Sequence, residues 1–253
     1  MASSLKALWR KGGVAHGSWL TIPSSFSAEV VARVGFDYVC IDLQHGLASY
    51  ENAVHMLQAL NLGGAAPVVR VPWNEQGIIG RMLDAGAMSI VVPMVNSAAE
   101  ARAAVAACRY APVGTRSFGP IRAFMQEGPR YFAEANAEVA CIPMIETAEA
   151  LERLDAILDV PGIDAVYVGP SDLSITLGLP PGNNDERPEF TKALERVVAA
   201  CRARGIVSGI HASAALAARR REQGFRMITV SSDQLALGDA ARADLRRARE
   251  GGE

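Results

Sequence analysis

Four side chains that an apolar β-strand would normally exclude stand at or just past the ends of such runs: His45, Arg70, Glu146 and Asp172. Glu146 follows Cys141-Ile142-Pro143-Met144-Ile145, and Asp172 follows Val168-Gly169-Pro170-Ser171. Two carboxylates without a neighbouring Cys or paired His form a hard, oxygen-rich site. Such a site suits Mg²⁺ or Mn²⁺, with Co²⁺ a further option, and is completed by water and a chelating substrate. A 2-oxo acid would supply carboxylate and keto oxygens, and the metal would act as Lewis acid for an enolate. The same spacing also fits carboxylates that cap the helices following them; it leaves both readings open.

His45, just past a strand and next to other polar groups, is the best-placed general acid/base, since imidazole titrates near neutrality. His211, at another strand end, is a second, weaker candidate. His16 lies within a strand and His55 within a helix, where packing or surface roles are expected. Arg70 ends Pro67-Val68-Val69-Arg70, and a guanidinium inside an apolar strand needs an anion. That anion is either a substrate oxygen or a carboxylate at the same end of the strands. The three lysines, Lys6, Lys11 and Lys192, all lie off the strands. A Schiff-base aldolase or a pyridoxal phosphate enzyme would need one there.

The elements that position these groups alternate. Strands are expected at 14–22, 36–43, 67–71, 89–95, 139–145, 164–168, 207–210 and 226–230. Helices are expected at 4–10, 28–34, 50–60, 76–85, 98–109, 148–158, near 173, at 189–204 and 214–223, and from 235 on. Residues 111–136 read as less regular and 179–188 as a Pro/Gly/Asn-rich loop. Eight Val/Ile-rich strands that must be covered on both faces point to an α/β protein, a (β/α)8 TIM barrel. A doubly wound sheet is the competitor, but the first strand is not followed by GxGxxG and the chain lacks GxxxxGK[ST], so neither NAD nor a P-loop nucleotide is expected. The 253 residues make one barrel domain, 1–253.

A hydrophobic fraction of 50% and a net charge of −2 give ample core and no general attraction for nucleic acid or anionic membranes. Arg219-Arg220-Arg221 is expected on a solvated helix face. Cys40, Cys108, Cys141 and Cys201 are dispersed and read as reduced core residues in a cytoplasmic protein. No apolar run approaches the length of a membrane span.

Six stretches, in order, resemble the HpcH/HpaI class II aldolases, whose members include 4-hydroxy-2-oxoheptanedioate aldolase and 2-keto-3-deoxy sugar-acid aldolases. They are Phe36-Asp37-Tyr38 leading to Asp42-Leu43-Gln44-His45-Gly46, Val69-Arg70-Val71-Pro72, Leu83-Asp84-Ala85-Gly86-Ala87, Tyr110-Ala111-Pro112-Val113-Gly114-Thr115-Arg116, Met144-Ile145-Glu146-Thr147, and Gly169-Pro170-Ser171-Asp172-Leu173-Ser174. The resemblance implies a barrel of the phosphoenolpyruvate/pyruvate-binding type, binding pyruvate as its enolate on a divalent metal held by Glu146 and Asp172. It makes His45 the acid/base, Arg70 the stabiliser of charge on substrate oxygen, Asp84 the acid that raises the basicity of His45, and Ser171 a backbone contact to the pyruvate carboxylate. It also implies a homohexamer, a trimer of dimers that exchange C-terminal helices, here about 235–249. The chain departs at Gln44, where members often carry Glu, and at Met144, where heptanedioate-type members carry Gln. Ser117-Phe118-Gly119-Pro120 replaces an Arg-Gly. These departures fall on substrate-contacting positions and speak against a heptanedioate.

The expected activity is therefore metal-dependent cleavage of a 4-hydroxy-2-oxo acid to pyruvate and an aldehyde. The alternatives are a metal-dependent carbon–carbon lyase acting on a coenzyme A thioester or another enolate-forming substrate, and a noncatalytic metabolite-binding barrel.

Overall fold

The computed structural model describes residues 4–250. Eight strands run β1 Ala15–Leu20, β2 Tyr38–Asp42, β3 Ala66–Arg70, β4 Ser89–Val92, β5 Ala140–Pro143, β6 Ala165–Val168, β7 Val207–His211 and β8 Met227–Ser232. All pairings are parallel, in the order β5-β4-β3-β2-β1-β8-β7-β6. The seam between β5 and β6 is closed by a parallel bridge between Met144 and Tyr167, the Ile145 N–H donating to the Tyr167 carbonyl at 2.9 Å. At the other end of the seam Asp164 Oδ2 accepts the Cys141 N–H at 2.9 Å, and Arg109 and Lys6 neutralise its charge. The expected (β/α)8 barrel is the observed one.

Period-2 alternation divides each strand between two cores. Val39, Ile41, Val69, Ile90, Val166 and Ile228 face the surrounding helices. Tyr38, Cys40, Val68, Val91, Ile142, Met144 and Tyr167 fill the barrel, and Leu5 of the helix Leu5–Arg10 joins them at the bottom. The hydroxyls of Tyr38 and Tyr167 both bond Thr229 Oγ1, at 2.8 and 2.5 Å, which satisfies three buried polar groups at once. Gly17 makes this possible, because a Cβ there would fall 2.3 Å from the Tyr38 ring.

The structure corrects several expectations. Residues 111–136 hold two helices, Ile121–Glu127 and Arg130–Glu138, whose short amphipathic turns around Ala123, Tyr131 and Ala135 form their own small core with Tyr110. The helix expected at 148–158 is interrupted at Arg153, giving Ala148–Glu152 and Leu154–Leu158. In the arginine triplet Arg220 is fully buried, since helical turning points it inward where the 179–188 loop presents Asp185 and Asn183. The four cysteines are free and buried as expected. Among the described residues no helix is long and apolar enough to cross a membrane.

Overpacking at Gly17 predicts that Gly17→Ala lowers unfolding free energy by about 1–3 kcal/mol. Gly80→Ala, in the helix Gln76–Asp84 with open space around its Cβ position, raises it by about 0.5–1 kcal/mol. Urea titration of the two variants measures both, and equal midpoints would refute the packing argument.

Candidate active site

In a parallel barrel the inward rows of all strands end at one mouth. Here they end in Trp19 (β1), Asp42 (β2), Arg70 (β3) and His211 (β7), with Glu146 and Gly169 just past β5 and β6. A cavity of about 180 Å³ opens among Trp19, His45, Arg70, Met144, Glu146, Tyr167, the Gly169–Asp172 turn and His211. It is smaller than the ~300 Å³ at which sites for drug-sized ligands begin, and so suits substrates of a few carbons.

Arg70 is the hub of the site. Its Nε and Nη2 donate to Asp42 Oδ1 and Oδ2 at 2.8 and 2.6 Å, a two-pronged pair that is almost wholly buried. Of the two anions expected for Arg70, the structure supplies the carboxylate at the strand ends, while Nη1 has no protein partner among the described residues and Arg70 still lines the cavity. Burial disfavours the charge on each partner, and the pairing outweighs it: the Asp42 pKa is lowered and the Arg70 pKa is raised. Asp42 Oδ1 also accepts the backbone N–H groups of Gln44 and His45 at 3.0 and 3.3 Å. The same carboxylate thus ties the His45 loop to Arg70. The guanidinium lies over Trp19 at 5.2 Å, and Trp19 in turn stacks on Tyr167.

Glu146 is buried to 1% exposure, and only one of its oxygens has a protein partner. Oε1 accepts the Met94 N–H at 2.7 Å, whereas Oε2 has no hydrogen-bond partner among the described residues. Met94 reaches it from a left-handed backbone, φ 55°, which costs about 1–2 kcal/mol for a side chain of its kind. Gly169 leaves room beside Oε2: a Cβ there would come within 2.4 Å of that oxygen. Burial pushes the Glu146 carboxyl up to about 7, with Asp172 adding to the rise and Met94 and Arg70 opposing it. The helix-cap alternative fails for Glu146, because Thr147 caps the following helix by accepting the Ala150 N–H at 3.0 Å. Asp172 sits in the first turn of the helix Pro170–Thr176, whose cap residue is Gly169.

His45 and Ser171 are exposed at the rim of the cavity and Met144 is buried in its wall. Gln44 is partly buried and is not among the residues lining the cavity, and its Oε1 is without a partner among the described residues. Asp84 is not brought to this end. The helix Gln76–Asp84 runs back from the mouth, so its last residue lies toward the barrel bottom, where Arg116 Nη2 binds Asp84 Oδ1 at 2.7 Å. His211, the weaker candidate, lines the cavity, edge-on to Trp19. His55 is exposed, and His16 is half-exposed near Asp37.

Sequence reasoning passed over Trp19, Met94 and Tyr167. Met94 had a signal: Val91-Val92-Pro93-Met94-Val95 parallels Cys141-Ile142-Pro143-Met144-Ile145 in sequence, although only Met94 turns left-handed while Met144 stays bridged to Tyr167.

With this geometry in view, residues 16–240 match the HpcH/HpaI aldolase/citrate lyase family. The chain belongs to that family. It is 40% identical to a hydroxypyruvate/pyruvate aldolase of Rhizorhabdus wittichii, covering 98% of this chain and 99% of the other. It is 38% identical to a 4-hydroxy-2-oxo-heptane-1,7-dioate aldolase of Salmonella heidelberg, over 96% and 93% of the two chains. An HpcH/HpaI aldolase/citrate lyase family protein of Burkholderia cenocepacia superposes with a TM-score of 0.90 at 34% identity, over 98% and 100% of the chains. The protein is accordingly an aldolase, a carbon–carbon lyase.

Glu146 and His211 act oppositely on stability. Glu146, raised from 4.5 to about 7, contributes stability that is present below about pH 4.5 and lost as pH rises through 7. His211, lowered from 6.5 to about 4, contributes stability present above 6.5 and lost as pH falls through 4. Between about pH 4.5 and 6.5 these two contributions to the metal-free protein therefore oppose each other. Subtracting the Glu146→Gln profile from it isolates a term that falls as pH rises from 4.5 to 7, measurable by urea unfolding at intervals of half a pH unit. A difference that rises instead would show Glu146 to be ionised at low pH.

Proposed function

We propose that the protein is a divalent-metal-dependent pyruvate aldolase, reversibly cleaving a 4-hydroxy-2-oxo acid to pyruvate and an aldehyde. The observation that carries this reading is the buried Glu146 with one oxygen unpartnered and space left beside it by Gly169, facing Asp172. A buried carboxylate in that condition is costly unless a proton or a cation completes it. Among the described residues no third His, Cys, Asp or Glu joins the pair, which leaves positions for a chelating substrate and water. Mg²⁺ or Mn²⁺ held by Glu146 and Asp172 would supply Lewis-acid polarisation of the 2-keto group.

The chain's own groups divide the remaining work. Arg70, immobilised by Asp42, lines the cavity and keeps Nη1 uncommitted to meet the keto oxygen as negative charge gathers there. Ser171 presents its backbone to the substrate carboxylate. His45 at the rim takes the proton of the 4-hydroxyl, directly or through one water, as the C3–C4 bond breaks and the aldehyde forms. The electron pair remains on the pyruvate portion as its enolate, and a proton returned to C3 completes pyruvate. Trp19, Tyr167 and Met144 wall off the dry side of the cavity.

The same reading covers assembly and compartment. In the C-terminal helix Asp233–Glu250, Leu235, Leu237 and Leu245 are exposed, and Phe118, Ile121 and Phe124 form a second apolar surface. These faces support a homo-oligomer, a hexamer with exchanged terminal helices. Because Asp84 lies at the far end of its own barrel, its pairing with His45 requires a neighbouring copy. Four free, buried cysteines fit a reducing cytoplasm.

Purified protein stripped with chelator should release pyruvate from 4-hydroxy-2-oxo acids only after Mg²⁺, Mn²⁺ or Co²⁺ is restored. Glu146→Ala should abolish that release, and His45→Ala should lower kcat by about 10²–10⁴-fold. Full turnover in the presence of chelator would refute the metal dependence. Light scattering should give a mass several times that of one chain, and a monomer at micromolar concentration would refute the assembly.

A further inference from the structure

The inference rests on the pyruvate-aldolase reading and concerns what the cavity selects. His211 is the last inward residue of β7, held at its backbone by Asn183 Nδ2 at 3.5 Å. Its ring meets Trp19 edge-on, with centroids 5.3 Å apart and planes at 82°. Trp19 is fixed by Tyr167 on one side and Arg70 on the other. The imidazole is therefore oriented by stacking alone, and neither ring nitrogen has a hydrogen-bond partner among the described residues, although the ring lines the cavity. The mechanism above makes no use of it.

The charges around the cavity limit what it can meet. Among the described residues Arg70 is the only cationic side chain lining it, and two of its three nitrogens are committed to Asp42. Glu146 and Asp172 face the same space. With the metal on Glu146 and Asp172 taken up by the 2-oxo acid's own oxygens, a second substrate carboxylate would find no free cationic side chain among the described residues. Burial, reinforced by Arg70, pushes the His211 pKa down to about 4, so at neutral pH the ring offers one N–H donor and one acceptor nitrogen and no charge. The partner that satisfies both is an alcohol.

We propose that His211 is a specificity-determining residue that hydrogen-bonds a substrate hydroxyl, so that the enzyme favours small hydroxylated substrates over deoxygenated or dicarboxylic ones. The hydroxyl comes either from C3 of the 2-oxo acid or from the carbon next to the aldehyde.

The test crosses pyruvate and hydroxypyruvate as donors with glycolaldehyde, propionaldehyde and succinic semialdehyde as acceptors, in the metal-loaded wild type and in His211→Leu and His211→Asn. In His211→Leu the ratio of kcat/KM for the hydroxylated partner to that for its deoxygenated analogue should fall about tenfold, the worth of one hydrogen bond in a dry site. Whether the donor or the acceptor ratio falls identifies the source of the hydroxyl. His211→Asn, which keeps a hydrogen-bonding head, should retain part of the ratio, and it decides the question if the leucine variant does not fold. Wild type should use glycolaldehyde at least about tenfold better than succinic semialdehyde. An equal loss on every substrate pair, an unchanged ratio, or a preference for succinic semialdehyde overturns the proposal. Absence of wild-type carbon–carbon bond formation with every pair overturns the pyruvate-aldolase reading beneath it instead.

Discussion

The ion pair between Asp42 and Arg70 organises the mouth of this barrel. Adjacent strands place the two residues in register, and both charges are taken out of water. Neither could be tolerated alone, since an unpaired buried charge costs several kcal/mol. Because Asp42 also accepts two backbone N–H groups, the pair fixes the start of the loop that carries His45. Because Arg70 lies over Trp19, it also fixes the aromatic wall on which Tyr167 and His211 rest. A single interaction thereby sets the positions of groups from four strands.

Against that satisfied pair stands Glu146, whose environment is incomplete. One oxygen is met by a Met94 N–H delivered from a left-handed backbone, and the other faces the space that Gly169 leaves. Strain at Met94 and the absence of a side chain at Gly169 both serve the same carboxylate. Local conformational cost concentrated around one group is what a binding site requires and a purely structural carboxylate does not.

Much of the architecture was legible beforehand because its causes are local. Val/Ile runs of strand length, separated by amphipathic helices with Ser and Thr caps such as Ser49, Ser97 and Thr147, leave few alternatives to a barrel. The two helices after Pro120 escape a reading of the sequence because they are short, 7 and 9 residues, and bury only Ala123, Tyr131 and Ala135. Arg220 was misread because its partners, Asp185 and Asn183, are more than thirty positions away in the chain. Met94 went unnoticed because a methionine offers its backbone, not its side chain, to Glu146.

By itself the sequence determined the repeating strand and helix units, the identities of Glu146, Asp172, His45 and Arg70 as strand-end polar groups, and the family to which they point. Periodicity and residue chemistry are properties of short stretches, so they survive being read without coordinates. Only the tertiary structure decided that Arg70 is spoken for by Asp42, that Glu146 keeps an oxygen free while Thr147 does the capping, and that His211 shares the cavity while Asp84 lies at the other end of its helix. Those outcomes depend on the closure of the barrel and the direction of its helices, which bring together residues far apart in the chain, and pairwise distance is the one quantity a linear sequence does not contain.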